Sequence, residues 1–333
     1  KGVEKMLNAK ILGSGKAVGS TVMKNDELEK EMSLPKGWME KASGVQSRYY
    51  INPSKNESAL TLGVAAAKQA IEESGLALED IDCIIGANGS PLQAIPCAAS
   101  LYQRELGLEE SGIPCFDVDT TCYSFPLALF VASNLINNAV YQHILIISSD
   151  TPSKTLDQCE KEVRTIFGDG AAAFVVTSSN GESKINKFLL KTYSSGADFT
   201  CVKGGGTLRP PNDPETMPND NLFQMEGRKV YKAAVRYLPS FLEDFFLNSL
   251  SKEDYKFIIP HQTSKKGITI FEKFGFKREQ IGDHLATHGN CIAASIPMLF
   301  HDLLSSRKID RGDNVLLFGT SAGLSLGALS LTY

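Results

Sequence analysis

Residues 78–90, LEDIDCIIGANGS, return at 252–264 as KEDYKFIIPHQTS, with Glu79/Glu253, Asp80/Asp254, Ile84/Ile258, Ile85/Ile259 and Ser90/Ser264 matching at an offset of 174. Three more echoes follow in the same order. ELGL near 105–108 matches KFGF at 273–276, TTCYS at 120–124 falls opposite GNCIA at 289–293 (an offset of 169), and HILIISS opposes NVLLFGT at about 170. One such pair is what any two α/β segments share; four in order mark a duplication. Two similar halves are therefore expected, 1–177 and 178–333, joined near 177–187. A length of 333 residues agrees with two units at ~150 residues each.

Within each half, short runs rich in Ile, Val and Leu alternate with helical spacing, the pattern of an α/β fold whose sheets are covered on both faces. Expected strands are AKILGSG, CIIGA, CFDVD, ILIISS, AAAFVV, FIIPH, NVLLFG and ALSLTY. Expected helices are SALTLGVAAAKQAIEESG, a segment at about 122–138, KVYKAAVRYLPSFLEDFFLNSL and SIPMLFHDLLSSRK. Residues 203–221, KGGGTLRPPNDPETMPNDN, read as a long surface loop.

Residues 120–149 carry no Asp, Glu, Lys or Arg, enough length to suggest a membrane span of ~20 residues. Asn134, Asn137, Asn138, Gln142 and His143 interrupt it, so a buried helix, a turn and a buried strand are the better reading. A net charge of −4 argues against a general nucleic-acid binder. Seven scattered cysteines without CxxC or CxxH spacing fit free thiols in a reducing, cytoplasmic setting, not a disulfide framework or zinc site. No N-terminal signal pattern is visible, and KGVEK before Met6 reads as a cloning remnant.

Three residue types stand where chemistry is possible. Cys122 opens an apolar helix whose early register is supported by Pro126. A helix N-terminus favours thiolate, although most free cysteines are inert core residues, so both readings stand. His261 follows an apolar strand in FIIPHQTS; His143 begins a strand, His301 lies inside a helix, and His284 and His288 flank a loop. Asn290, in THGNCIAASIP, reads either as an N-cap or as an amide donor to a substrate carbonyl. Cys291 beside it is a rival nucleophile.

The glycine runs are weaker signals. Gly13, Gly15 and Gly19 give GxGxxxG, but TVMKNDELEKEM lacks the helix and acid-ended strand that dinucleotide binding requires, so a tight turn is expected. KGGGT at 203–207 lacks the GK[ST] ending of a phosphate loop, and Asp169-Gly170 reads as a hairpin turn.

Together Cys122, His261 and Asn290 resemble the Cys-His-Asn set of the 3-oxoacyl-acyl carrier protein synthase III family, in the thiolase superfamily. The resemblance runs through NAKILGSG, GWMEKASGVQSR, FDVDTTCYSF, FGDGAAA, GGGTLRP, MEGRKVYKAAV, IPHQTS, HGNCIAASIP and FGTSAGLSLGA. It implies a thiolase-like five-layer αβαβα fold of two duplicated halves about a pseudo-twofold axis. It also implies acyl transfer from a thioester to Cys122, then decarboxylative condensation with malonyl-acyl carrier protein to a 3-oxoacyl thioester. The backbone N–H groups of Cys122 and Ala322 would form the oxyanion hole, and His261 and Asn290 would donate to the enolate. No metal or redox cofactor is implied.

The same resemblance suggests partners and binding residues. The first acyl donor would be acyl-CoA or an acyl-carrier protein, and the assembly a homodimer. Trp38 falls where the family stacks a tryptophan on adenine; the arginine opposite appears as Lys161, and another arginine position is Ala42. Gly205 lies in the substrate-binding GGGTLRP stretch, and Ile95, before Pro96, falls where a side chain enters the neighbouring subunit's pocket. Ile95 cannot act as a base, which counts against non-decarboxylative condensation. Arg228, Lys232 and Lys266, with Lys229 and Lys265, would receive an acidic carrier protein. Alternatives are an acyltransferase or secondary-metabolite ketosynthase passing the Cys122 acyl group to another acceptor, or a non-catalytic binding protein of the same fold.

Overall fold

The computed structural model describes residues 6–333, so residues 1–5 and the remnant expected there lie outside it. Two sheets carry the chain. The first runs in the order Ala9–Val18, Gly170–Ser178, Ile144–Asp150, Cys83–Gly86, Cys115–Asp117, its last three strands parallel and its first two antiparallel. The second repeats that pattern as Lys184–Thr192, Ser325–Thr332, Asn314–Ser321, Tyr255–Pro260. Its fifth strand is reduced to one parallel bridge between Ile258 and Ile281.

The layers follow from side-chain alternation. Ile144 and Ile146 enter one core while Leu145 and Ile147 enter another, so ILII is apolar throughout because both of its faces are covered. Val315 and Leu317 against Leu316 and Phe318 do the same in the second sheet. The shared core holds helices Ser124–Asn137 and Ser295–Ser305 between the sheets, through Phe125, Ala128 and Leu129 on one and Ile296, Leu299 and Phe300 on the other. Helices Ala59–Ser74 and Ala98–Glu105 cover the first sheet outside; Gly227–Phe246 and Lys265–Lys273 cover the second. The result is the five-layer αβαβα arrangement. Among the described residues no helix is long and apolar enough to cross a membrane.

The two central helices begin with the same local device. Asp119 Oδ1 accepts the Thr121 N–H at 2.7 Å, and Asn290 Oδ1 accepts the Ile292 N–H at 2.8 Å. Thr120 N donates to Ser124 Oγ at 3.0 Å, and Cys291 N to Ser295 Oγ at 2.8 Å. Thr121 and Ile292 both sit at φ 50°, a left-handed conformation that β-branched residues rarely adopt. These contacts set the register at 171, not the 169 read from TTCYS and GNCIA. Cys122 therefore matches Ala293, and Cys291 matches Thr120; the shared cysteine misaligned the repeat by two residues.

Three local expectations are corrected. Gly13 and Gly15 lie within the strand Ala9–Val18, where the expected strand AKILGSG also has them, and the tight turn expected from the GxGxxxG spacing does not form at these two. A Cβ at either would press into the helix Ala59–Ser74, against the carbonyl oxygens of Ala70 and Ala66, so these glycines permit close strand–helix approach. Asp169 is no hairpin residue. It is buried, and its carboxylate accepts from Ile51 N at 2.9 Å and from Ser153 N at 3.0 Å, closing the long connection between two antiparallel strands. His284 and His288 bracket a one-turn helix, Leu285–His288, in place of a loop.

Candidate functional site

Cys122 lies in the 3-10 turn Thr121–Tyr123 that leads into helix Ser124–Asn137. Its neighbour Tyr123 fixes it. The Tyr123 ring occupies the space left by Gly319 and Gly327 in the second sheet, and its hydroxyl donates to Leu317 O at 3.1 Å. The Cys122 turn of one half is thus anchored by strands of the other. His261 comes one residue after the strand Tyr255–Pro260, its N–H donating to Phe318 O at 2.8 Å. Asn290 is stitched to the 166–168 segment, donating its N–H to Ile166 O at 2.8 Å and accepting from Gly168 N at 3.1 Å. Gly289 makes that approach possible: it has φ 68°, and a Cβ there would lie 2.5 Å from Ile166 O.

Cys122, His261 and Asn290 line one cavity of about 480 Å³, together with Ser321 and Ala322. Most of its wall is apolar: Phe167, Phe223, Met225, Val230, Leu238 and Phe271 are among the lining residues. The cavity suits a ligand with an apolar body and a reactive polar end. The N–H groups of Ala322 and of Cys122 itself face the sulfur. Gly323, at φ 134°, turns the chain immediately after Ala322.

The electrostatics correct one expectation. The helix end was expected to favour thiolate, yet burial pushes the Cys122 thiol up to about 12, aided by the charge of Asp150 and opposed by those two N–H groups. Desolvation outweighs the helix end. Burial also holds His261 down to about 4, so its imidazole is neutral near pH 7 and carries one N–H. Its Nδ1 is buried without a partner. Asn290 is not the N-cap expected of it: Cys291 and Ala294 hold those places, and the Asn290 side-chain oxygen instead accepts the Ile292 N–H in the turn ahead of them, leaving the NH₂ end for the cavity. Cys291 is buried, away from the cavity lining, with its thiol raised by burial and its sulfur directed at His288 O at 3.7 Å.

Other residues singled out in the sequence lie outside the lining. Trp38 is half-buried at the start of the helix Trp38–Ser43, which packs against Lys161–Ile166, where Lys161 is exposed. Ile95 is 85% exposed. Gly205 is exposed at φ 87° in the loop between the short strands Thr200–Cys201 and Gln224–Met225, and Cys201 and Val202 at its start reach the cavity. Arg228, Lys232 and Lys266 are exposed on the two outer helices whose other residues, Val230, Tyr231, Gly267 and Ile270, line the cavity. The sequence reading missed Asp150. It is fully buried at the end of its strand, and burial raises its carboxyl to about 6. Its only signal was as the first charge after a 30-residue uncharged run.

Comparison with known proteins bears on the family and the fold. The family models described as 3-oxoacyl-[acyl-carrier-protein (ACP)] synthase III and its C-terminal region match residues 116–194 and 247–333. Beta-ketoacyl-[acyl-carrier-protein] synthase III of Coxiella burnetii (strain CbuK_Q154) is 33% identical over 328 residues, covering 98% of this chain and 99% of the relative. The protein of that name from Clostridium perfringens (strain SM101 / Type A) is 30% identical over 325 residues, covering 97% and 98%. The crystal structure of 3-oxoacyl-[acyl-carrier-protein] synthase III from Aquifex aeolicus VF5 superposes with a TM-score of 0.87 at 28% identity, over 98% of this chain and 100% of that one. With full-length relatives of one name and a matching fold, the chain belongs to the 3-oxoacyl-[acyl-carrier-protein] synthase III family.

Proposed function

We propose that the protein condenses an acyl thioester with malonyl-acyl carrier protein, using Cys122 as the acyl carrier and His261 and Asn290 as hydrogen-bond donors. The observation that carries this reading is the meeting of those three side chains on one apolar cavity, with two backbone N–H groups aimed at the sulfur. Cys122 attacks the thioester carbonyl, and its proton passes to the departing carrier sulfur, because the half-buried thiol, pushed up to about 12, is not ionised beforehand. The tetrahedral oxyanion lies between the N–H groups of Cys122 and Ala322; removing one such donor costs about 2.7–4 kcal/mol. The carrier thiol departs with a proton, leaving acyl-Cys122.

The malonyl thioester then enters. Its terminal C–C bond breaks, CO₂ leaves, and the electron pair becomes an enolate whose oxygen accepts from neutral His261 and from the Asn290 amide. Both donors are uncharged near neutral pH, so neither requires a proton to be gained or lost first. The enolate carbon attacks the acyl carbonyl, the S–C bond to Cys122 breaks with its electron pair staying on sulfur, the thiolate takes up a proton from solvent, and a 3-oxoacyl thioester is released.

The binding residues enter the same reading. Trp38 and Lys161, on two packed short helices, would hold the nucleotide end of acyl-CoA, with Gly205 in the loop beside the cavity. Arg228, Lys232 and Lys266 would receive the carrier protein. Ile95, a large apolar side chain left in solvent, would enter a second copy in a homodimer. Residues 1–177 and 178–333 would be the two halves of the duplication, and seven free cysteines suit a cytoplasmic enzyme. The test is to supply acyl-CoA and acyl-carrier protein separately with labelled malonyl-acyl carrier protein, following CO₂ release and the mass of the Cys122 peptide. CO₂ release with transient acylation of Cys122 is expected; acylation with transfer to another acceptor and no CO₂ would show the acyltransferase instead.

A further inference from the structure

The duplication places a second helix start opposite the first, and the two are filled differently. At the first, the Cys122 N–H faces the sulfur. Its counterpart, the Ala293 N–H, donates to Asp150 Oδ2 at 3.1 Å. Asp150 Oδ1 also accepts from Ser90 N at 3.0 Å and Ser90 Oγ at 2.9 Å, and the carboxylate takes Gly89 N at 3.0–3.1 Å. Four donors converge on a fully buried anion. Asp150 ends the strand Ile144–Asp150; at the equivalent place in the second sheet, 171 residues on, stands Ser321, whose hydroxyl donates to Thr120 O. A neutral hydroxyl there leaves room for a substrate oxyanion beside Cys122. A carboxylate in the other half fills that role permanently.

We propose that Asp150 is a positioning residue for condensation: its carboxylate replaces a bound oxyanion in the non-catalytic half and locks the Ile292-Ala293 turn that holds Asn290. The chain of contacts is short. Asp150 fixes Ala293 N; Ala293 follows Ile292, held at φ 50°; and the Ile292 N–H is received by Asn290 Oδ1. On the other side the same carboxylate fixes Gly89 and Ser90, which line the cavity. Without it, three backbone N–H groups and a hydroxyl lose their acceptor, and the strained turn loses what opposes its relaxation. Asn290 then shifts relative to the enolate, while Cys122, anchored separately through Tyr123, keeps its place. Loss should therefore fall on condensation and spare acylation.

This inference rests on the proposed condensing reaction, and Asp150→Ala tests it, because truncation to the methyl group removes a formate-sized anion. We expect kcat for condensation to fall about 100-fold, KM for the malonyl substrate to move less than about threefold, and Cys122 acylation not to slow, since the Asp150 charge that raises the thiol is gone. Formate should restore turnover saturably, whereas chloride at equal ionic strength should not. Formate should also raise the melting temperature of Asp150→Ala and leave that of the wild type unchanged, a readout independent of the reaction. If the wild type does not condense, the functional reading fails, and the formate-dependent melting shift still decides whether the carboxylate cradle exists. Wild-type turnover in Asp150→Ala, or a folded variant that formate neither stabilises nor rescues, overturns the role. Should Asp150→Ala not fold, Asp150→Asn retains the size and loses the charge; full turnover in that variant would equally overturn it.

Discussion

Asn290 and Asp119 close the turns that lead into the two central helices in the same geometry, each offering a side-chain oxygen to the N–H two residues on. An aspartate is therefore already accommodated at this kind of turn, and Asn290→Asp separates structure from chemistry. The variant should fold with a melting temperature close to wild type and should still acylate Cys122. Condensation should fall by about 10²–10³, because a carboxylate donates nothing to the enolate and repels it. Single-turnover acylation, read by mass, and CO₂ release together check this. Equal losses in both steps would mean that Asn290 acts through the fold.

The buried thiol gives a second expectation. Cys122 is pushed up to about 12, so the thiolate fraction near neutrality is small and rises tenfold per pH unit. Alkylation of Cys122 by iodoacetamide, followed by peptide mass, should climb from pH 7 to pH 10 without a plateau. A plateau below pH 8 would mean that the helix end outweighs burial after all.

Acid stability follows from His261. Burial holds its ring down to about 4 from 6.5, so between those values the unfolded chain binds more protons than the native state. The stabilising contribution is complete above pH 6.5 and is lost as pH falls toward 4, at about 1.4 kcal/mol per unit. Asp150 works in the opposite sense: raised from 3.8 to about 6, it is protonated more readily in the native state and partly offsets the loss in the same window. Urea midpoints from pH 7 to pH 4 should fall less steeply for His261→Gln than for wild type. Parallel slopes would show that the buried ring does not titrate with folding.

The duplication and both sheets were legible because each strand is buried on two faces and so keeps a continuous apolar run, as in ILII and VLLF. The catalytic candidates were legible by resemblance, since each ends or begins one of those elements. What escaped depends on contacts between distant elements. The repeat register is set by side-chain turns at Asp119 and Asn290, which carry different residue names and so do not align by identity. The sequence places Cys122 at a helix end, and only the apolar surroundings that desolvate it reverse the charge argument. Gly13 and Gly15 read as a turn because the helix they press against begins more than forty residues later. Asp150 is an acceptor for Gly89, Ser90 and Ala293, partners on two other segments.

The strand–helix contact at Gly15 is itself testable. A Cβ there would meet the Ala66 carbonyl oxygen and, at 2.9 Å, the Ala70 nitrogen, all backbone that cannot rotate aside. Gly15→Ala should cost about 1–3 kcal/mol of stability, by overpacking, with no effect on substrate affinity. A ligand-binding glycine loop would give the reverse: little change in urea midpoint and a raised KM.

The proposed carrier-protein surface is tested through its charge. Lys266 is exposed on the helix Lys265–Lys273, whose Gly267 and Ile270 line the cavity, so a carrier docked there would have its thioester arm directed toward Cys122. An exposed lysine contributes within about 0.5 kcal/mol to stability, so Lys266→Glu should leave the melting temperature unchanged. It should raise KM for malonyl-acyl carrier protein by about tenfold, an effect that shrinks with added salt because exposed charges are screened beyond ~8 Å at physiological ionic strength. The same variant should handle malonyl-pantetheine, which lacks the acidic protein, as wild type does. If both substrates weaken equally, Lys266 serves the cavity wall and the carrier docks elsewhere.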